Sequence, residues 1–77
     1  MQVVVRLCGG LASFAPGRAE HHRLEVPPGT TAGQILRWLD VPEQEVWLLA
    51  VDRKQVSESW VLQAGDELLV FPPVAGG

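Results

Sequence analysis

One stretch of this 77-residue sequence has the apolar spacing of a helix, which limits the chain to one main helix among strands. In TTAGQILRWLD (30–40) the apolar residues recur at i, i+3, i+4 and i+7, on one helical face: Ala32, Ile35, Leu36 and Leu39. Thr31 and Gln34 have the spacing of a capping box, which predicts where the helix begins. Val41-Pro42 is expected to end it, because the residue before a proline avoids helical backbone angles.

The segments before this helix alternate with the two-residue period of β-strands. MQVVVRLC (1–8) places three apolar residues on the expected core face: Val3, Val5 and Leu7. EHHRLEV (20–26) alternates in the same way, and Pro27-Pro28-Gly29 closes it. GGLASFAPGRA (9–19), between them, is punctuated by glycine and proline and is expected to be a loop with one helical turn at most. The two strands are therefore predicted to pair as a hairpin with a long loop.

The segments after the helix predict three further strands. VWLLAV (46–51) is almost continuously apolar, as in a strand buried on both faces or for most of its length. The turn at 52–55 leads into a short strand at Val56, and the loop 57–66 ends in a Gly65-Asp66 turn before ELLVF (67–71). The predicted class is α+β, a single domain with an open sheet crossed by one helix.

Composition excludes several kinds of function. The formal charge of −3 and the single lysine, Lys54, leave no basic stripe, which argues against a nucleic-acid partner. The single cysteine, Cys8, cannot form an internal disulfide. No apolar run approaches the length needed to span a bilayer, so we expect no membrane partner and a cytoplasmic location.

The last seven residues, FPPVAGG (71–77), have the composition of an extended tail. Pro72 and Pro73 have no amide hydrogen and fix φ, so the strand cannot continue its hydrogen-bond ladder. The tail 72–77 is expected to be flexible and can reach about 20 Å when fully extended. Gly76 and Gly77 make a narrow tip that can approach groups a Cβ would obstruct. The alternative is a frayed end without a function.

A terminal carboxylate at Gly77 would be the one functional group of such a tip. A carboxylate is a poor electrophile, so its chemistry requires activation, most simply adenylation by ATP. The Gly-Gly pair at 9–10 has neither the spacing nor the lysine of a phosphate-binding loop. Any activating enzyme is therefore expected to be a separate protein.

The order of elements, together with GDELLVFPPVAGG (65–77), resembles the MoaD/ThiS family of ubiquitin-like sulfur carriers, and most closely its molybdopterin synthase small subunits. Weaker similarity in VPPGTTAGQIL (26–36) and LLAVDRKQV (48–56) extends the resemblance over nearly the whole chain. It implies a β-grasp fold, with a mixed four- to five-stranded sheet crossed by one main helix. It also implies one domain, 1–77, that ends in the tail 72–77.

The resemblance further implies a protein cosubstrate and not a free-standing enzyme. An E1-like, MoeB-like enzyme would use ATP to adenylate Gly77, and a donor such as a cysteine desulfurase or rhodanese would supply sulfur for a thiocarboxylate. The tail would then enter a MoaE-like large subunit, with Gly76 keeping the channel clear. Neither a bound cofactor nor a metal is implied. The residues implied to contact partners are Leu69, Phe71, Pro72, Pro73, Val74 and Ala75.

Three other functions stay open. The thiamine thiazole carrier, ThiS, shares the fold and the Gly-Gly end but usually lacks the Phe-Pro-Pro that precedes it here. A ubiquitin-like modifier would become amide-linked to target lysines through Gly77. A pure interaction domain would not need Gly76 and Gly77 at all.

Alternation in the last strand decides which residues are available to a partner. If Leu68 and Val70 face the helix, then Leu69 and Phe71 face outward. An exposed apolar patch there would be a docking surface, and the alternative is coverage by the loop that contains Trp60.

The remaining chemically active residues are predicted to be structural. His21 and His22 are adjacent on a strand, so their rings point to opposite faces and cannot share a metal ion. Cys8 is expected to be a small packed side chain. The tryptophans are expected to pack in or at the edge of the core: Trp38, Trp47 and Trp60. Asp66 and Glu67 are expected to be turn residues and not an acid–base pair.

Overall fold

The computed structural model describes residues 1–73, and within them it contains five strands and one α-helix in the predicted order. The bounds are β1 Gln2–Leu7, β2 His21–Glu25, α1 Ala32–Trp38, β3 Leu48–Val51, β4 Lys54–Val56 and β5 Glu67–Phe71. Three short 3₁₀ helices cover Gly9–Phe14, Pro16–Arg18 and Glu43–Glu45. α1, at seven residues, is too short to cross a membrane, and so are the other helices of the described part.

The strands form one mixed sheet in the order β2-β1-β5-β3-β4. β1 and β5 are parallel, and the other three pairings are antiparallel, including the predicted β1–β2 hairpin. β5 is the central strand, with neighbours on both sides. The last strand of the described part, β5, therefore lies in the middle of the sheet and not at an edge.

The core lies between α1 and one face of the sheet. The predicted core face of β1 is completely buried and consists of Val3, Val5 and Leu7. Leu68 and Val70 of β5 are also completely buried. α1 contributes Ile35 and Leu36 from its apolar face. Each such aliphatic side chain contributes about 1.5–3 kcal/mol relative to its exposed state.

The capping box predicted for α1 is present. The backbone N–H of Gln34 donates to Thr31 Oγ1 (3.3 Å), and the N–H of Thr31 donates to Gln34 Oε1 (2.9 Å). The helix ends at Trp38, before the predicted stop at Val41-Pro42. The reason is a left-handed residue, Asp40, with φ 59°.

The end of α1 has the hydrogen bonds of a Schellman motif. The N–H of Val41 donates to the carbonyl of Leu36 (3.0 Å), and the N–H of Asp40 donates to that of Arg37 (3.1 Å). Val41 and Leu36 are both buried in the core cluster, as the two apolar residues that accompany this motif usually are. Asp40 stands where glycine is usual, so the sequence lacked the common sign of a helix end.

The prediction for the segment 9–19 is wrong in one respect. It contains two successive 3₁₀ helices and not a loop with a single turn at most. Gly9 (φ 60°) and Gly17 (φ 68°) take left-handed conformations, and three small or apolar residues close the end of the core: Leu11, Ala12 and Ala15. The glycines and proline indicated a loop, but burial of the apolar residues orders it.

Two predictions about the tryptophan-containing segments are also wrong. β3 begins at Leu48, so Val46 and Trp47 lie outside it, although Leu49, Ala50 and Val51 are buried as expected. The tryptophans are exposed and not packed in the core: Trp38 by 51%, Trp47 by 62% and Trp60 by 41%. Aliphatic side chains already fill the space between the helix and the sheet, leaving the indoles at the surface.

Candidate functional site

The candidate site begins where the chain leaves β5. The carbonyl of Phe71 still accepts a hydrogen bond from the N–H of Trp47 (2.8 Å). Pro72 and Pro73 follow, and neither has an N–H with which to continue the ladder. Four predicted site residues lie outside the described residues: Val74, Ala75, Gly76 and Gly77. Their roles stay predictions.

Leu69 and Phe71 lie on the face of the sheet opposite α1, as the alternation predicted. The antiparallel register pairs Leu69 with Ala50 and Phe71 with Leu48. We call these four residues the outer patch. Leu48, Leu69 and Phe71 are half-buried and Ala50 forms the floor between them. The patch lies on the same strand as the Pro-Pro exit.

The loop that contains Trp60 lies on the other side of the sheet from the outer patch. The carbonyl of Trp60 accepts from the N–H of Ala32 at the start of α1 (2.9 Å). Leu62, two residues later, is buried in the core beneath the helix. The loop therefore does not cover Leu69 and Phe71, which removes the alternative explanation for them.

Polar side chains border the outer patch on the neighbouring strands. Arg6 of β1 is in register with Leu69, and Gln55 of β4 is in register with Ala50. Both are exposed. An apolar centre with a polar rim is the usual arrangement of a protein interface.

Beside the exit, the backbone of Gly9 lies against the ring of Pro72. A Cβ at position 9 would lie 2.7 Å from Pro72 Cγ and 3.3 Å from Cδ. Next to this contact is a groove of about 460 Å³, lined among others by Phe14, Glu45 and Pro73. Sequence reasoning missed Gly9, because nothing local to a Gly-Gly pair indicates that it will meet a proline near the other end of the chain.

A pair of glutamates that the sequence did not predict lies at the β3–β4 end of the sheet. Partial loss of hydration at the Glu58 carboxyl raises its pKa above the ordinary 4.5, and so do its hydrogen bond with the Glu43 carboxyl and the negative charge there. The Arg37 guanidinium opposes this shift of the pKa. Both glutamates line a groove of about 320 Å³ together with Trp47.

The other residues weighed for chemistry have structural surroundings. A ring nitrogen of His22, Nε2, is hydrogen-bonded to the carbonyl of Ala19 (2.7 Å). The carboxylate of Asp66 accepts from the N–H of Gln63 (2.8 Å), as expected for a turn residue. Cys8 is a free, half-buried thiol. Within residues 1–73, no three His, Cys, Asp or Glu side chains are grouped so that they could hold a metal ion.

Within the described residues, a mixed sheet crossed by one helix, with β5 as its central strand, defines a ubiquitin-like β-grasp protein. The sequence model of the ThiS family matches residues 5–77, and the chain belongs to this family of ubiquitin-like sulfur carriers and modifiers. Members of the family are small carrier proteins and not catalysts themselves. No curated protein sequence gave a significant match.

Solved structures of low sequence identity share the fold. SAMP1 from Haloferax volcanii superposes with a TM-score of 0.77 at 24% identity, over 100% of both chains. A putative molybdopterin converting factor subunit 1 from Pyrococcus furiosus gives 0.67 at 24% identity, over 95% of this chain and 98% of that one. A chain from the complex of subunits 1 and 2 of molybdopterin-converting factor from Helicobacter pylori gives 0.66 at 22%, over 100% of both.

Proposed function

We propose that this protein is a sulfur carrier that acts in molybdopterin biosynthesis through Gly77. The carboxylate of Gly77 attacks the α-phosphorus of ATP on an E1-like enzyme, which forms an acyl-adenylate and releases pyrophosphate. The persulfide of a donor such as a cysteine desulfurase or rhodanese then displaces AMP and forms an acyl disulfide with Gly77. A thiol cleaves the S–S bond of this intermediate and is itself oxidised to a disulfide, which leaves Gly77 as a thiocarboxylate. ATP is used by the activating partner, and the reactions belong in the cytoplasm.

The observation that carries the proposal is the extent of the family match, which runs through FPPVAGG to residue 77. The position of β5 supports it, because a central strand followed by two prolines directs the chain out of the sheet beside the outer patch. Within the described residues, we found no constellation that indicates catalysis by the domain itself. Gly77 is thus proposed as a substrate for other proteins.

The outer patch is the proposed docking surface for the activating enzyme and for a large subunit of the MoaE type. Its half-buried apolar side chains lie next to the exit, so a partner bound there would be close to the start of the tail. The Helicobacter pylori neighbour is described in complex with subunit 2 of its converting factor. That likeness supports, for this chain, a large-subunit partner and the molybdopterin pathway.

A ubiquitin-like protein modifier is the second candidate. It is favoured by the similarity to SAMP1, whose structure is also described as small archaeal modifier protein 1. In this function the activated Gly77 would form an amide with a lysine of a target protein. Both candidates share the adenylation step and differ in the group that receives the acyl end.

Intact-mass spectrometry of the chain after incubation with an E1-like enzyme, ATP and a sulfur donor separates the candidates. A carrier gains the mass difference between one sulfur and one oxygen atom. A modifier instead gives conjugates with added proteins. The control is a chain that ends at Ala75, which should show neither change. If the chain that ends at Gly77 also shows neither, both candidates are wrong.

For a carrier, reconstitution identifies the acceptor. The thiocarboxylated chain is mixed with a MoaE-type large subunit and the pterin precursor, and in parallel with a thiazole-forming enzyme and its substrates. We expect the thiocarboxylate to be consumed only in the first mixture. Consumption only in the second would assign the chain to thiazole formation.

A further inference from the structure

We propose that Gly9 is a positioning residue for the acyl end, because it forms the surface against which Pro72 packs as the chain leaves β5. This inference rests on the proposed function. It gives Gly9 a role in presenting Gly77 to the activating enzyme, without contact with the reacting atoms.

The contact between Gly9 and Pro72 leaves no room for a side chain at position 9. A Cβ there would be 2.7 Å from Pro72 Cγ, a distance that real Cβ atoms essentially never show. The proline ring is closed onto its own backbone nitrogen, so it cannot turn aside as a long side chain would. Any larger residue at position 9 must therefore displace Pro72 or the backbone of residue 9 itself.

The backbone on both sides of Gly9 is fixed by hydrogen bonds and burial. The N–H of Cys8 donates to the carbonyl of Val70 (2.9 Å), which extends the β1–β5 pairing to the residue before Gly9. The N–H of Leu11 donates to the carbonyl of Cys8 (3.3 Å), and the Leu11 side chain is buried. Gly9 is thus held in place while its φ of 60° turns the chain away from the sheet.

Pro72, by contrast, has no ladder hydrogen bond of its own to donate. The ladder on the β3 side has its last bond at the carbonyl of Phe71, which accepts from Trp47. The next two residues contribute no N–H, so packing against Gly9 is what orients the chain at Pro72. That orientation is the starting direction for the residues that lead to Gly77.

Acyl transfer depends strongly on the placement of the reacting atoms, and a displacement of about 1 Å can lower a rate by about a hundredfold. A substitution that moves Pro72 changes where the tail leaves the sheet relative to the outer patch, on which the activating enzyme is proposed to dock, and should therefore slow activation. It should leave the outer patch, which is the proposed docking surface, unchanged. The expected signature is a lower kcat with an unchanged KM for the chain as substrate.

The test compares Gly9→Ala with a matched control, Gly17→Ala. Both glycines are left-handed, with φ of 60° and 68°, so both alanines carry the backbone strain of a left-handed non-glycine residue. A Cβ at Gly17 would meet nothing within 4 Å. The collision with Pro72 is thus the difference between the two variants.

The measurement is kcat and KM for thiocarboxylate formation by the full chain with an E1-like enzyme, ATP and a sulfur donor. We expect Gly9→Ala to lower kcat by about tenfold or more, with KM and the kinetics of Gly17→Ala unchanged. Equal kinetics of the two glycine variants would overturn the inference. If the wild-type chain is not activated at all, the proposed function fails instead.

A double variant tests whether the effect passes through Pro72. Pro72→Ala removes the Cγ and Cδ atoms that a Cβ at position 9 would meet. In this background Gly9→Ala should have no more effect on kcat than Gly17→Ala. A further loss of kcat would overturn the inference. Thermal unfolding would reveal whether Gly9→Ala alone fails to fold. In that case the inference is tested by comparing the two glycine substitutions in the Pro72→Ala background.

Discussion

Glu43 and Glu58 lie on different elements but line the same groove, and the negative charge at Glu43 raises the pKa of the Glu58 carboxyl. Glu43 begins a 3₁₀ helix and Glu58 follows β4. The loop after β4 is held in this position by the carbonyl of Glu58, which accepts from the N–H of Gly33 in α1 (2.9 Å). The negative charge at Glu43 therefore disfavours ionisation of the Glu58 carboxyl.

The pKa of Glu58 predicts how stability changes with pH. Folding raises the pKa of Glu58 above its unfolded-state value, near 4.5, so the neutral carboxyl favours the folded state. This contribution to stability is complete below the unfolded-state pKa and is lost as pH rises through the folded-state pKa. Glu58→Gln should therefore stabilise the domain at pH 7 and not at acidic pH. Because Glu58 is exposed, the gain should be below about 1 kcal/mol.

Thermal unfolding at a series of pH values measures this effect. The control is Glu45→Gln, which removes the same charge from the same 3₁₀ helix as Glu43. A gain from Glu58→Gln that is equal at all pH values, or equal to that of the control, would contradict the prediction.

The turn between β3 and β4 contains backbone strain that a substitution can relieve. Asp52 (φ 52°) and Arg53 (φ 65°) are both left-handed, as in a type I′ turn, for which Asn-Gly is preferred. Arg53→Gly removes a strain of about 1–2 kcal/mol and adds conformational freedom to the unfolded chain. We expect a net gain of about 0.5 kcal/mol in urea unfolding. Lys54→Gly, one residue later in β4, should instead destabilise.

The cap of α1 should be the main local determinant of where the helix starts. Thr31→Ala removes the acceptor for the N–H of Gln34 and should cost about 1 kcal/mol of unfolding free energy. Thr31→Ser keeps the acceptor and should cost less. An equal loss for both variants in denaturant unfolding would show that the hydroxyl is not what matters.

The fold could be predicted where its cause is local in sequence. The capping box of α1 involves residues three apart, and the faces of β1 and β5 follow from alternation, so both were predicted correctly. The end of α1 was misplaced because Asp40 takes the position where glycine is the recognisable residue. In that case the local pattern was present but carried an uncommon residue.

The rest could not be predicted because it depends on contacts between distant residues. The segment 9–19 takes a regular structure because Leu11 is buried against the end of the core. The meeting of Gly9 with Pro72 and that of Glu43 with Glu58 exist only after the sheet and its loops have assembled. The outer patch, in contrast, was predicted in part, because Leu69 and Phe71 follow from alternation in one strand.

Substitutions of two neighbouring leucines of β5 should have different effects, one on the stability of the domain and the other on partner binding. Leu68 is completely buried, so Leu68→Ala should cost about 2–5 kcal/mol, a large part of the stability of a small domain. Leu69 lies in the outer patch, so Leu69→Ser should change stability much less. It should raise the KM for activation by an E1-like enzyme by about tenfold, as loss of an interface anchor does. Trp38→Ser, an exposed apolar residue on α1, is the control and should leave KM unchanged. A KM for Leu69→Ser equal to that of Trp38→Ser would place the docking surface elsewhere.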